Sequence, residues 1–369
     1  MITVKGKYNE AIIFTNEVDD NTLSQVSKLL DQPFTKGLTI RIMPDCHSGI
    51  GCVIGTTMTI KDKVVPNLVG VDIGCGLLVI ELGRLNIDLV ELDRFIRRNI
   101  PSGFNVNKKV LDDSIKLKEL RCYPYLRNIN YLSRSIGSLG GGNHFIEIDI
   151  DEENNKYLII HSGSRNLGTQ IAEHYQKEAV KYHKNVKGID IPRDLAYLEG
   201  KQFSDYLFDM VIAQKFASKN REVMAKTIIN HLELDFDKLP KFETVHNYIN
   251  TKDMILRKGA ISAYKGEKLI IPLNMRDGCI IGVGKGNKLF NKSAPHGAGR
   301  LMSRKEALRT LDLEDFKRDM EGIYSTSVNR HTLDEAPIVY KPTDMIIEHI
   351  KDTVDIVKII KPIYNFKAK

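Results

Sequence analysis

Val69-Gly70-Val71-Asp72-Ile73-Gly74-Cys75-Gly76 reads as an apolar strand running into a tight glycine turn, and the turn carries one hard donor, Asp72, and one soft donor, Cys75. A carboxylate and a thiolate this close in sequence can share one metal ion, or the thiolate can bridge two. The glycines let the backbone close around a ligand without Cβ clashes. Thiolate with imidazole suits zinc, cobalt or manganese-like ions, and a carboxylate hardens the site. Taken alone, such a stretch more often means a buried cysteine beside an aspartate that caps its own loop. The histidines elsewhere change that balance.

His144, His161, His246 and His296 each stand at the junction of an apolar run and a loop of small residues. Strand ends on one edge of a sheet can converge on one pocket. Asp72, Cys75, His144, His161 and His246 therefore form a candidate ligand set, sufficient for two divalent ions bridged by sulfur with a position left open on each. His174, His183, His231 and His349 lie in amphipathic helical stretches and read as surface residues. His331 lies in a polar loop and says nothing. His296 differs from all of these, because Pro295, Gly297, Ala298 and Gly299 clear space around it and Arg300 offers an anchor for phosphate. An unprotonated imidazole there can attack phosphorus. A further metal ligand or a helix cap are the alternatives for the same residue.

Outward from these motifs, the chain of 369 residues is 42% hydrophobic and 27% charged, within the range of soluble globular proteins. Lys plus Arg (54) less Asp plus Glu (47) gives a net charge of +7, which permits a phosphate-rich partner without requiring one. Five cysteines at irregular spacing make no disulfide framework. The N-terminus has no apolar signal-like core, and no apolar run is long enough to span a bilayer. A reducing, cytoplasmic setting and no membrane association are expected.

Short strands are expected over 1–20, 37–43, 51–60, 64–71 and 77–82, with helices over 21–30 and 86–98. Residues 105–135 read as helical, and 168–232 as mostly helical and rich in lysine. Further strands are expected over 156–160, 242–249, 260–263, 268–273 and 279–284, and a helix over 303–310. Thr343 to Ile360 has Ile346, Ile350, Val354 and Val357 at helical spacing and reads as a final helix, followed by an extended tail. Intermixed strands and helices with no linker or repeat argue for one α/β or α+β unit.

The stretches 43–51 (MPDCHSGIG), 69–76 (VGVDIGCG), 140–147 (GGGNHFIE), 161–165 (HSGSR), 246–247 (HN) and 296–305 (HGAGRLMSRK) together resemble the RtcB-type RNA ligases nearly end to end. The resemblance implies a single compact domain over 1–369, with layered sheets flanked by helices and a helical insertion over about 168–232. It implies a GTP- and manganese-dependent enzyme that joins 2′,3′-cyclic phosphate or 3′-phosphate RNA ends to 5′-hydroxyl ends, in RNA repair or tRNA splicing.

By the same resemblance Cys75 bridges two Mn²⁺ ions, His161 and His246 complete one site, and Asp72 with His144 completes the other. His296 takes GMP from GTP. Asn143, His144, Phe145, Ile146, Glu147, His246, Asn247, Pro272, Leu273, Asn274, Met275, Cys279, Gly297, Ala298 and Gly299 line the nucleotide, with Tyr340 and Lys367 as late contacts. The implied partners are RNA (tRNA halves, or nicked tRNA or rRNA) and GTP, and a monomer is expected. Lys177, Lys181, Lys184 and Lys187 could hold RNA, although a solvated helix face is the commoner meaning of such a row. The chain departs from the family pattern at Pro272-Leu273-Asn274-Met275-Arg276, in place of a smaller Gly/Ser-containing loop, and at Cys279, where serine is usual. Leu273 and Arg276 imply a pocket of altered volume and charge. The competing readings are a binuclear metallophosphoesterase acting on RNA 3′ or cyclic phosphate ends, which needs no nucleophilic histidine, and an RNA-binding factor without turnover.

Overall fold

Successive side chains in the strands Gly76–Gly83, Phe145–Ile150 and Lys156–Ser162 point to opposite sheet faces, and the continuous apolar runs of the first and last supply both. Leu77, Val79, Phe145, Ile159, Ile270, Ile281 and Ile360 form one apolar core on the inner face. Leu78, Ile80, Ile146, Ile148, Leu158 and Ile160 pack outward onto Leu92 and Ile96 of the helix Leu89–Asn99 and Met224 and Ile228 of the helix Gly200–His231. The computed structural model describes residues 1–185 and 191–367.

These strands belong to a seven-stranded sheet in the order Lys241–Val245, Gly76–Gly83, Lys156–Ser162, Phe145–Ile150, Val354–Lys367, Gly278–Gly284, Lys268–Asn274. Its two edge strands meet where the Ile270 N–H donates to Thr244 Oγ1 at 3.2 Å, so the sheet curls into a nearly closed barrel. A second, six-stranded sheet runs Ile2–Lys5, Glu10–Ile13, Ile40–His47, Ile54–Thr59, Ile255–Lys258, Asn247–Asn250. His246 lies between the sheets: Val245 pairs with Gly76 in one and Asn247 with Lys258 in the other. The architecture is α/β with layered sheets, as expected.

Several elements differ from expectation. Beyond the short strand Lys63–Val64, the segment to Gly70 is a 3-10 turn over Pro66–Leu68 closed by a turn at Val69, because Pro66 cannot donate to a ladder. The expected strand leading into Asp72 is therefore a loop, and the strand begins only at Gly76. Within 105–135 the helical content is the short helix Ile129–Arg134 and two 3-10 turns. The final helix stops at Ile350, and Val354–Lys367 is a strand paired on both sides, with Val357 exposed rather than inward.

The helices Arg165–Asn185 and Gly200–His231 pack within the core, through Leu167, Ile171, Tyr206 and Phe216 among others. His183 is buried, not on the surface, with Nε2 3.0 Å from the Tyr197 carbonyl oxygen. His174, His231 and His349 are half-buried. Lys177, Lys181 and Lys184 are exposed, whereas Lys187 lies outside the described residues. Among the described residues no helix is long and apolar enough to cross a membrane.

Arg221, fully buried on the helix Gly200–His231, ties this helix to the end of the barrel. Its Nη1 donates to the carbonyls of Gly74, at 2.8 Å, and Ser162, and its Nε donates to Glu243 at 2.7 Å. Replacing it with Met leaves two buried carbonyls and a carboxylate without their donor. Arg221→Met is expected to cost about 3 kcal/mol, read as a lowered denaturant midpoint; a wild-type midpoint would contradict this role.

Candidate active site

The loop that ends at Cys75, the loop before Phe145–Ile150, the end of Lys156–Ser162 and the junction after Lys241–Val245 all reach the same end of the barrel. They bring together Cys75, His144, His161 and His246. Cys75 Sγ lies 3.4 Å from His144 Nε2 and 3.3 Å from His161 Nε2, and Asp72 Oδ2 lies 3.0 Å from His144 Nε2. The His161 and His246 rings are 5.2 Å apart, and the His246 N–H donates to the Cys75 carbonyl at 2.9 Å. Asp72 is held by the Ser164 N–H at 3.1 Å. Its approach requires glycine at 163, where a Cβ would stand 2.1 Å from Oδ1.

This set fits a divalent ion. His144 Nδ1 faces the Leu139 carbonyl at 2.8 Å, and His161 Nδ1 faces the Asn143 carbonyl at 3.2 Å. With the ring proton on Nδ1 in each case, both Nε2 lone pairs point at the sulfur, the arrangement that orients imidazole ligands. Burial pushes His161 and His246 well below the usual imidazole range, so both stay neutral. Burial, and then the Asp72 charge, push the Cys75 thiol well above its usual value. A thiolate here therefore needs a cation, and coordination deprotonates a thiol outright. Burial opposes ionisation of Asp72, but its facing partner His144 and the Arg165 guanidinium hold the carboxyl below its usual value. Cys75, His144 and His161 place their ligand atoms within 4.8 Å of one another.

His296 follows the short strand Ser293–Pro295, its ring 5.1 Å from that of His246. Asp45 Oδ2 accepts from its backbone N–H at 3.2 Å and faces Nδ1 at 2.7 Å. Asp45 is 1% exposed, and its carboxylate fixes the proton on Nδ1, leaving the Nε2 lone pair free for attack. Asp45 was not anticipated as a partner, although it lies in the quoted MPDCHSGIG stretch.

A cavity of about 290 Å³ joins these groups. Its walls include Asp72, Cys75, His161, His246 and His296, together with Asn143, Phe145, Glu147, Asn247, Pro272, Leu273, Asn274, Met275, Gly297, Ala298, Gly299, Tyr340 and Lys367. His144 stands just behind the wall. Ile146 and Cys279, expected to line the nucleotide, do not reach it: both are fully buried, Ile146 against the outer helices and Cys279 inside the barrel. Arg276 also stays outside, its Nε donating to Asp277 at 2.9 Å, so it does not alter the cavity's charge as its sequence position implied.

At one end of the cavity Glu335, 2% exposed, gathers Lys367, the Tyr340 hydroxyl at 2.8 Å and Arg304 at 2.6 Å. Burial works against its charge, but Lys367 and Arg304 hold the carboxyl down at about 2. Glu335 and Asn365 were missed in the sequence, because nothing local distinguishes them from surface polar residues, whereas Arg304 lies in the quoted HGAGRLMSRK stretch but was given no role. Glu147 accepts from Asn365 Nδ2 at 2.8 Å. Burial pushes its carboxyl above the usual range, against the opposing pull of Asn365 and Lys367.

The profile of the family described as tRNA-splicing ligase RtcB matches residues 25–123 and 125–368. The RNA-splicing ligase RtcB of Escherichia coli is 32% identical over 368 residues, covering 89% of this chain and 90% of that protein. The tRNA-splicing ligase RtcB of Aeropyrum pernix is 26% identical over 433 residues, with 92% and 90% covered. That of Nanoarchaeum equitans is 28% identical over 426 residues, with 89% and 87% covered. Match and relatives alike extend across nearly the whole chain, and on that ground it belongs to the RtcB family of RNA ligases.

Proposed function

We propose that this RNA ligase joins 2′,3′-cyclic phosphate or 3′-phosphate RNA ends to 5′-hydroxyl ends through a GMP–histidine intermediate on His296. The observation that carries the reading is the Asp45–His296 pair, with the imidazole oriented and its free nitrogen beside a cluster suited to divalent ions. His296 Nε2 attacks the α-phosphorus of GTP, forming an N–P bond as pyrophosphate leaves. An oxygen of the RNA 3′-phosphate then takes the GMP and frees the imidazole. The 5′-hydroxyl attacks the activated 3′-phosphorus, its proton is lost, and GMP departs. A cyclic phosphate end is first opened by water to a 3′-phosphate.

Two Mn²⁺ ions held by Cys75, Asp72, His144, His161 and His246 would supply neutralisation of phosphate charge. The chain's own contributions are orientation of the nucleophile by Asp45, a cationic end formed by Arg300, Arg304 and Lys367, and a carboxyl group, Glu147, facing the ligand space. Glu147 suits the N1–H and amino donors of guanine. One domain over 1–369, acting as a monomer in the cytoplasm, is part of the same proposal.

Incubation with Mn²⁺ and GTP labelled at the α-phosphate is expected to leave acid-labile label on the protein, and His296→Ala is expected to abolish it. Joining of defined RNA ends that proceeds without any label would overturn the intermediate. Opening of cyclic ends without joining would favour the phosphoesterase reading.

Asp45→Asn can present an amide N–H to His296 Nδ1 and so place the ring proton on the wrong nitrogen. Labelling of His296 is expected to slow on the order of a hundredfold or more, measured as a single-turnover rate. A wild-type rate would remove Asp45 from the mechanism.

Glu147 must be ionised to accept from guanine, and its carboxyl is raised to about 7. Protonation below that value removes the acceptor. GTP affinity is therefore expected to rise with pH through about 7, falling by up to about tenfold per unit on the acid side. Glu147→Gln should give a weak, flat profile; a wild-type profile without a limb near neutrality would contradict the assignment.

A further inference from the structure

The turn Ser102-Gly103-Phe104-Asn105 lies outside the cavity described above. Phe104 is 94% exposed, more than any other large apolar side chain among the described residues. A lone exposed apolar residue needs no explanation. This one is different because its backbone is pinned. The Gly103 N–H donates to the Gly140 carbonyl at 2.8 Å, and the Asn105 N–H donates to Ser102 at 3.1 Å. The Tyr131 hydroxyl donates to the Phe104 carbonyl at 2.8 Å, and Arg165 Nη2 donates to the Gly103 carbonyl at 2.7 Å. Four hydrogen bonds thus fix a turn whose central ring packs against almost nothing.

The ring borders a groove lined by Arg97, Thr326, Asn329 and Phe366. Two links tie this groove to the ligand cavity. Lys367 lines both. Gly140, bridged to Ser102, lies against His144, whose Nδ1 would be 2.9 Å from a Cβ at that position. Arg97, part-exposed, lies over the Phe366 ring at 4.8 Å with its Nε shared between the buried Asp93 and Thr326, and Arg165 reaches the turn through the Gly103 carbonyl. An aromatic platform beside arginines is how proteins seize an unpaired base and its backbone.

We propose that this groove holds a single-stranded end of the substrate RNA, with one nucleobase stacked on Phe104 and the adjoining sugar–phosphate beside Arg97. The proposal rests on the RNA-ligase reading and adds to it a subsite outside the nucleotide cavity. Stacking on a fixed ring tolerates any base, so the subsite recognises a single strand rather than a sequence.

The chain contains no tryptophan, so Phe104→Trp places a single indole at the proposed contact. Short single-stranded RNAs ending in a 3′-phosphate or beginning with a 5′-hydroxyl are titrated separately, with duplex DNA as control. One of the RNAs is expected to quench the indole emission to saturation, and the strand that does so is the strand held there. Phe104→Ala is expected to raise the KM for that RNA about tenfold while GTP-dependent labelling of the protein without RNA stays at the wild-type level. Phe104→Tyr should restore the KM. Unchanged emission at RNA concentrations that saturate joining, equal quenching by duplex DNA, or a wild-type KM in Phe104→Ala would each overturn the subsite. Failure of the ligase reading would show differently, as absent labelling in the wild-type protein while the indole still reports RNA.

Discussion

The end of the barrel is a meeting of four separate chain segments, and the constraint on which it depends is the buried guanidinium of Arg221. Within the turn 72–76 the Asp72 and Cys75 carbonyls find backbone donors, the Cys75 and His246 N–H groups, but the Gly74 carbonyl is met by a side chain. Arg221 accepts that role from the side, bonding the carbonyl before Cys75 and the carbonyl after His161 with one nitrogen. Its own charge is met by Glu243 at the edge of the barrel. The sulfur and the imidazole are thus indexed to one rigid group on a 32-residue helix. Close packing enforces the same registry: a Cβ at Gly74 would stand 2.9 Å from the Cα of Gln214 on that helix.

What this registry achieves is electrostatic. Two imidazole nitrogens and a carboxylate are aimed at a thiol in a buried space, with the opposite ring nitrogens of His144 and His161 turned to backbone carbonyls. Burial keeps the thiol from ionising on its own, and a cation would satisfy the sulfur, both imidazole lone pairs and the carboxylate together. His296 is built on the opposite logic. Its Nδ1 meets a carboxylate rather than a carbonyl, which would stabilise positive charge on the ring. One residue type is thereby given two chemistries by the partner of a single nitrogen.

Much of the strand content was legible because short continuous apolar runs such as Leu77–Ile80 and Tyr157–Ile160, bounded by glycine or polar turn residues, have the length of strands buried on both faces. The C-terminal segment was not. Ile346, Ile350, Val354 and Val357 suit a helix, while Val354-Asp355-Ile356-Val357-Lys358-Ile359-Ile360 suits a strand equally well. The contest is settled by pairing with Gly278–Gly284 on one side and Phe145–Ile150 on the other, partners far away in sequence. The ligand-type residues could be recognised from their chemistry and their place at strand ends. Asp45 could not be assigned to His296, 251 residues away, because no local pattern encodes that contact. Cys279 was placed one layer too shallow. It faces Asp149 and Glu147 inside the barrel, where strand direction sets depth in a way that composition does not.

That deeper layer bears on how the cavity works. Asp149 is fully buried with both carboxyl oxygens lacking a hydrogen-bond partner, and burial with the neighbouring Glu147 charge raises its pKa well above the usual range. Two adjacent ionised carboxylates in an apolar barrel repel strongly, so the protonated form of Asp149 is favoured. Of the two, Glu147, one strand repeat nearer the cavity, ionises more readily. Glu147 is drawn outward by Asn365 and by the positive charge of Lys367, which in turn is shared with Glu335. The cavity thus presents the Glu147 carboxyl on one wall and, where Arg300 and Arg304 stand, cations gathered around Glu335.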